Sequence, residues 1–101
     1  MIIEVAHVKI KDGQTENFEA AVDKAVAVFK RAPECRGLHL QHCIEDESAY
    51  QVVIRWDTLE AHTETFRKGP LFLEWRALVG PFFKEPPQVQ HFEIAMPLVE
   101  F

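Results

Sequence analysis

Residues 38–56 read LHLQHCIEDESAYQVVIRW, two alternating runs either side of an acidic turn at Asp46-Glu47-Ser48. Alternation with period two puts successive side chains on opposite faces of an extended chain. Leu38, Leu40, His42 and Ile44 then share one face of the first run. Tyr50, Val52, Ile54 and Trp56 share one face of the second. Two such runs joined by a short polar link predict an antiparallel hairpin over Leu38–Glu45 and Ala49–Trp56.

The chain on the N-terminal side of this hairpin changes period once. Ile2 to Ile10 (IIEVAHVKI) is rich in β-branched residues and ends at Asp12-Gly13, which predicts a strand and a turn. Ile2, Ala6, Val8 and Ile10 are assigned to one face, and Ile3, Val5, His7 and Lys9 to the other. From Thr15, Phe18, Ala21, Val22, Ala25, Val28, Phe29 and Ala32 recur at three- and four-residue spacing, the apolar stripe of a helix. Asp12 or Thr15 is expected to cap it, and Pro33 to stop it.

On the C-terminal side, a helical piece is expected over about Leu59–Phe66. A break follows at Gly69-Pro70, then a second piece over about Leu71–Val79 ended by Gly80-Pro81. Pro86-Pro87 is a stiff connector, and a last strand starts at Val89. The order β-α-β-β-α-β predicts an α+β, ferredoxin-like fold, a four-stranded antiparallel sheet with its helices on one face. The 101 residues make a single domain, 1–101.

One helix layer covers only one face of a sheet. The other face keeps Ile3, Val5, Cys43 and Val53, and an apolar patch of that kind calls for a cover. A second copy of the same sheet supplies one, so a homodimer with a closed, barrel-like interior is expected.

Composition excludes several function classes. The formal charge is −5, and no basic stripe exists to replace counterions on a nucleic acid. The apolar runs are too short to span a membrane. Cys35 and Cys43 form neither a Cys-x-x-Cys pair nor a disulfide framework, so free thiols in a cytoplasmic protein are expected. His39 and His42 would diverge on a strand, and no metal site is expected. Glycines at 13, 37, 69 and 80 are scattered turn residues, with no phosphate loop among them.

The full chain resembles the antibiotic biosynthesis monooxygenase family of the dimeric α+β barrel superfamily. The residues that carry this are Ile-Ile-Glu-Val-Ala at the start with Lys-Asp-Gly-Gln, and Val-Ile-Arg-Trp ending at Trp56. Leu-Glu-Ala-His-Thr-Glu-Thr-Phe-Arg (59–67), Trp75 to Phe83, and Pro-Pro-Gln-Val-Gln-His-Phe-Glu (86–93) extend it. The resemblance implies a small aromatic, quinol- or polyketide-like substrate oxidised by molecular oxygen without metal or flavin, hence no cofactor. It also admits a non-catalytic binding or stress-associated dimer and, third, a polyketide cyclase. The haem-degrading branch fits less well: His7 stands where its first-strand asparagine belongs, and no histidine lies near Trp75-Arg76 to ligate iron.

The candidate site residues follow from chemistry and from this resemblance. His62 is the expected base, because an imidazole exchanges protons near neutral pH. Arg55 and His91 are expected to polarise or orient the substrate. His7 and His91 are expected to share the sheet face opposite the helices, together with Arg55, Gln51 and Gln41. Trp56, Phe66, Phe72 and Trp75 offer a flat wall for an aromatic ligand, with Arg67 to balance its charge. The plainer reading of the same aromatics is core, and of Arg67 and Arg76 surface pairing with Glu64 and Glu74.

Overall fold

The computed structural model describes residues 1–101. It places β1 at Ile2–Lys9, α1 at Thr15–Lys30, β2 at Cys35–His42, β3 at Ala49–Trp56, α2 at Pro70–Val79 and β4 at Gln88–Glu93. The four strands form one antiparallel sheet in the order β2-β3-β1-β4. Both helices lie on one face, so the ferredoxin-like α+β fold holds. No helix is long and apolar enough to cross a membrane.

The core is the layer between helices and sheet. Phe18, Ala21, Val22, Ala25, Val28 and Phe29, the stripe expected of α1, are all buried there. They meet Ala6, Val8, Tyr50, Val52, Ile54 and Trp56 from the sheet. Phe29 is the centre of the aromatic packing: its ring lies 5.0 Å from Trp75, 5.1 Å from Phe66 and 6.4 Å from Trp56. Rings at such separations add to plain area burial.

Several boundaries differ from expectation. The residue preceding α1 is Gln14, which makes no side-chain cap, so neither Asp12 nor Thr15 caps the helix. The first hairpin strand runs from Cys35 to His42, with a bulge between Cys35 and Gly37. Ile44 therefore falls in the turn and is exposed rather than sharing a face with Leu38 and Leu40. The turn is held by Asp46, which accepts from the Ser48 hydroxyl at 2.8 Å and pairs with Lys9. That local network outcompetes two more rungs of strand pairing.

The segment after β3 is the largest departure. Ala61–Phe66 forms a π-helical turn in place of an α-helix. Thr58 Oγ1 accepts from the Ala61 N–H at 3.2 Å, and the Arg67 N–H reaches back five residues to the His62 carbonyl at 2.9 Å. Such wide turns insert a residue and re-aim side chains, frequently at functional sites. Gly69 then lets the chain pass close: a Cβ there would lie 2.8 Å from the Thr65 carbonyl oxygen. Pro70 opens α2 at a position whose N–H needs no partner.

Candidate functional site

Strand alternation decides which side chains meet. On β1, Ala6 and Val8 are buried under the helices, so Glu4 shares their face while His7 does not. Glu4 is opposite Ile54 on β3 and His91 on β4, which places His91 on the helix-covered face too. Trp56 reaches the same layer from the end of β3. The π turn brings His62 down onto it, with its ring stacked on Trp56 at 5.4 Å between centres.

These four side chains form one connected chain, two of its links hydrogen bonds and the third a close contact. Trp56 Nε1 donates to Glu4 Oε1 at 2.9 Å. His62 Nε2 stands 3.3 Å from the same Oε1. His62 Nδ1 lies 2.8 Å from His91 Nε2. Nδ1 of His62 is thus hydrogen-bonded, while Nε2 stands close to the Glu4 carboxyl without a hydrogen bond. Glu4 receives both of its contacts on Oε1, leaving Oε2 without a protein partner. Glu4 and His62 are 5% and 2% exposed, the only buried residues that are polar or charged in the usual sense, apart from the Tyr50 phenol.

Burial sets their proton affinities. Loss of water pushes the Glu4 carboxyl up to about 7, against the Trp56 hydrogen bond and the Arg67 charge, which pull it down. The same loss of water pushes His62 down to about 4, with Arg67 and His91 adding to the effect. His91 is also lowered, by burial first and then by Arg67. Both Glu4 and His62 are therefore held in their neutral forms over the mildly acidic range.

Beside this chain lies a cavity of about 280 Å³. Its floor is Glu4, Ala6, Val8 and Ile54; His62, Phe29, Phe66, Phe72 and Trp75 wall it. Arg67 and Arg76 also line it and are solvent-exposed, so they stand at its rim. Neither pairs as expected, since Glu64 binds Lys68 and Glu74 binds Arg31. The Arg76 guanidinium instead sits over the rings of Phe72 and Phe83, at 6.0 and 5.6 Å. The volume is just below the usual range for drug-sized ligands and suits one or two fused rings.

Of the residues singled out from the sequence, the structure brings together His62, His91, Phe66, Arg67, Phe72 and Trp75. Trp56 lies behind Glu4 rather than on the cavity wall, and Phe66 and Trp75 serve as core and wall at once. His7 and Arg55 are elsewhere. Each is the sequence neighbour of a buried helix-facing residue, Ala6 or Trp56, and period-two alternation turns it to the uncovered face. The expectation that His7 and His91 share that face fails for the same reason. Sequence reasoning misses Glu4. Its signal is a carboxylate at the one gap in the apolar face Ile2, Ala6, Val8, Ile10.

Fold and site together define a small ferredoxin-like α+β domain that encloses an aromatic-walled cavity with a buried acid–imidazole chain. The family model for antibiotic biosynthesis monooxygenase matches residues 1–78, and the chain belongs to that family. A Bordetella bronchiseptica structure provisionally described as such a monooxygenase is 40% identical, with TM-score 0.92 over 94% of this chain and 97% of that one. The uncharacterized protein YczJ of Bacillus subtilis is 34% identical over 92% of this chain and 98% of its own. SnoaB of Streptomyces nogalater, a cofactor-independent oxygenase solved as a point mutant, shares the fold. Its TM-score is 0.78 over 98% of this chain and 97% of that one, at 18% identity.

Proposed function

We propose that the cavity binds a small aromatic substrate, a quinol, anthrone or polyketide-like phenol, and oxidises it with molecular oxygen and no cofactor. The observation that carries this reading is a proton-accepting chain, Glu4–His62–His91, set against an aromatic-walled cavity with cationic groups at its rim. Removing a proton from a phenol or an anthrone gives an anion that reduces oxygen itself. One oxygen atom enters the carbon framework as a carbonyl and the other leaves as water, the four electrons coming from the substrate. His62 is the centre of the proton path and His91 its continuation. Arg67 at the rim balances the charge of the anion. Phe66, Phe72 and Trp75 hold the rings flat and keep water out, which strengthens each charge interaction inside.

Oxygen uptake with a panel of anthrones and naphthoquinols tests this. Turnover above the blank is expected, and His62→Ala should reduce it by about 100-fold or more. A flat panel for the wild-type protein overturns the oxygenase reading. A polyketide cyclase would instead convert a linear poly-β-keto chain without oxygen uptake.

The second reading is a non-catalytic dimer that binds the same class of ligand, and the uncovered sheet face favours the dimer in either case. Phe92 on that face is 48% exposed, and the segment after β4 exposes Ile94, Met96, Leu98, Val99 and Phe101. A second copy packed there would bury this surface and enclose His7, Gln51 and Arg55 between two sheets. Sedimentation at micromolar concentration should give twice the 11.7 kDa chain mass; a monomer alone would remove the dimer. Retention of an aromatic compound through purification, with no turnover, would favour the binding reading.

A further inference from the structure

The sequence points to His62 as the base, yet one nitrogen of that ring is hydrogen-bonded to His91 and the other is turned toward the Glu4 carboxyl. Nδ1 is 2.8 Å from His91 Nε2, and Nε2 is 3.3 Å from Glu4 Oε1. Glu4 differs. It forms part of the cavity lining, and its Oε1 takes both the Trp56 N–H and the His62 contact while Oε2 has no protein partner. A free carboxyl oxygen on a buried residue, beside a cavity fit for a phenol, has one evident use.

We propose that Glu4 Oε2 is the atom that takes the phenolic proton, and that His62 and His91 form the route by which that proton leaves the cavity. This rests on the reading of the cavity as a phenol site, and concerns proton transfer alone. The substrate O–H bond breaks, its electron pair stays on the substrate oxygen, and a new O–H bond forms at Oε2. Negative charge passes from the carboxylate to the phenolate, where the Arg67 cation at the rim attracts it. Release follows once the acid hydrogen has shifted from Oε2 to Oε1, which faces His62 Nε2: Nε2 takes it, and the hydrogen on Nδ1 passes to Nε2 of His91, half-buried at the sheet edge on β4. Trp56 is a positioning residue: its N–H fixes Oε1 so that Oε2 is the oxygen left for substrate.

The test uses 2-naphthol, whose excited state is a strong acid and whose neutral and ionised forms emit at different wavelengths. The probe is bound to the purified protein at pH 8 without oxygen and excited to the red of tryptophan absorption. The wild-type protein should give naphtholate emission, because an acceptor lies in hydrogen-bond reach. Glu4→Gln keeps the shape and the Trp56 contact but takes no proton. Its bound probe should emit as neutral naphthol, the emission ratio falling by at least about tenfold with affinity little changed. His62→Gln should retain naphtholate emission. The reverse pattern, loss in His62→Gln and retention in Glu4→Gln, overturns the assignment, as does failure of the wild type to bind the probe.

Should Glu4→Gln not fold, the wild type alone decides. Naphtholate emission from the bound probe should rise as pH passes about 7, where Glu4 ionises, and not near 4, where His62 does. Emission that follows the lower value overturns the proposal. Because oxygen is absent throughout, proton transfer to Glu4 can succeed while the oxygen-uptake panel fails, so the two readings fall separately.

Discussion

The two faces of the sheet carry rows of hydrogen-bonded polar side chains, and the rows behave oppositely. Under the helices, Trp56, Glu4, His62 and His91 connect β3, β1, the π turn and β4 in a layer largely shielded from water. On the uncovered face, His39 donates to Gln41 at 3.1 Å and Gln41 to Gln51 at 2.9 Å. Gln51 approaches His7 at 3.4 Å, and His7 approaches Gln90 at 3.2 Å. That row crosses all four strands and borders a wider depression of about 520 Å³. Both rows contain histidines. Only the covered one is deeply buried at its centre, and that burial is what raises Glu4 and lowers His62. The shifted proton affinities come from the helix layer acting on ordinary residues more than from residue type.

The largest expected effect tests whether the helix-covered layer carries the stability. Phe29→Ala removes the ring shared by Trp56, Phe66 and Trp75 and opens the wall of the cavity, which should cost about 3–5 kcal/mol. Phe92→Ala, on the other face, should change the stability of the single chain by less than about 0.5 kcal/mol while weakening self-association. Urea unfolding at low protein concentration measures the first difference, and sedimentation the second. Equal losses would mean that the uncovered face is as deeply packed as the core.

A smaller effect, about 3 kcal/mol, is concealed in the wild type. Glu4 binds its proton more tightly folded than unfolded, so alone it makes stability fall as pH rises from 4.5 to about 7. His62 binds its proton less tightly folded, so alone it makes stability fall as pH drops from 6.5 to about 4. Between pH 4.5 and 6.5 the pair holds one proton in both states, on His62 when unfolded and on Glu4 when folded. The two slopes cancel there. Each single variant should unmask the other residue: Glu4→Gln should lose about 3 kcal/mol on acidification through the His62 window. His62→Gln should lose a similar amount as pH rises through the Glu4 window. Thermal unfolding across about pH 4 to 8 reads both signs, and parallel curves for the two variants would refute the coupling.

How much of this can be read from the chain differs between the faces as well. The fold follows from alternation in 38–56 and the α1 stripe, because periodicity reports which side of an element is dry. The uncovered row is partly legible: alternation groups His7, Gln41, Gln51 and Arg55 on one face, as the structure does. The site is less so. Glu4 breaks an apolar series, and a pattern reading passes over a break instead of asking what a carboxyl does there. His91 is assigned to the wrong face because β4 has no clean alternation, with both Val89 and Phe92 apolar on opposite sides. The π turn leaves no mark that separates it from an α-helix, since it differs only in the reach of its backbone hydrogen bonds and not in its residue types.

The smallest effect sharpens the comparison most. Trp56→Phe keeps a ring in the core but removes the donor to Glu4 Oε1, so a buried acceptor loses a partner at a cost of about 1–3 kcal/mol. The Glu4 pKa should also move further up, since that hydrogen bond is what lowers it most. Gln51→Leu breaks the other row at its middle, freeing Gln41 and His7 at once. On an open face water replaces both partners, and the change should stay within about 0.5 kcal/mol. The contrast therefore depends on the face remaining open, which self-association would alter. Measured in a dilution series, the Gln51→Leu penalty should be near zero where the chain is monomeric and grow with concentration as a second sheet excludes water from the row. A penalty that is large and independent of concentration would place the uncovered face, not the partner, in charge of its own desolvation.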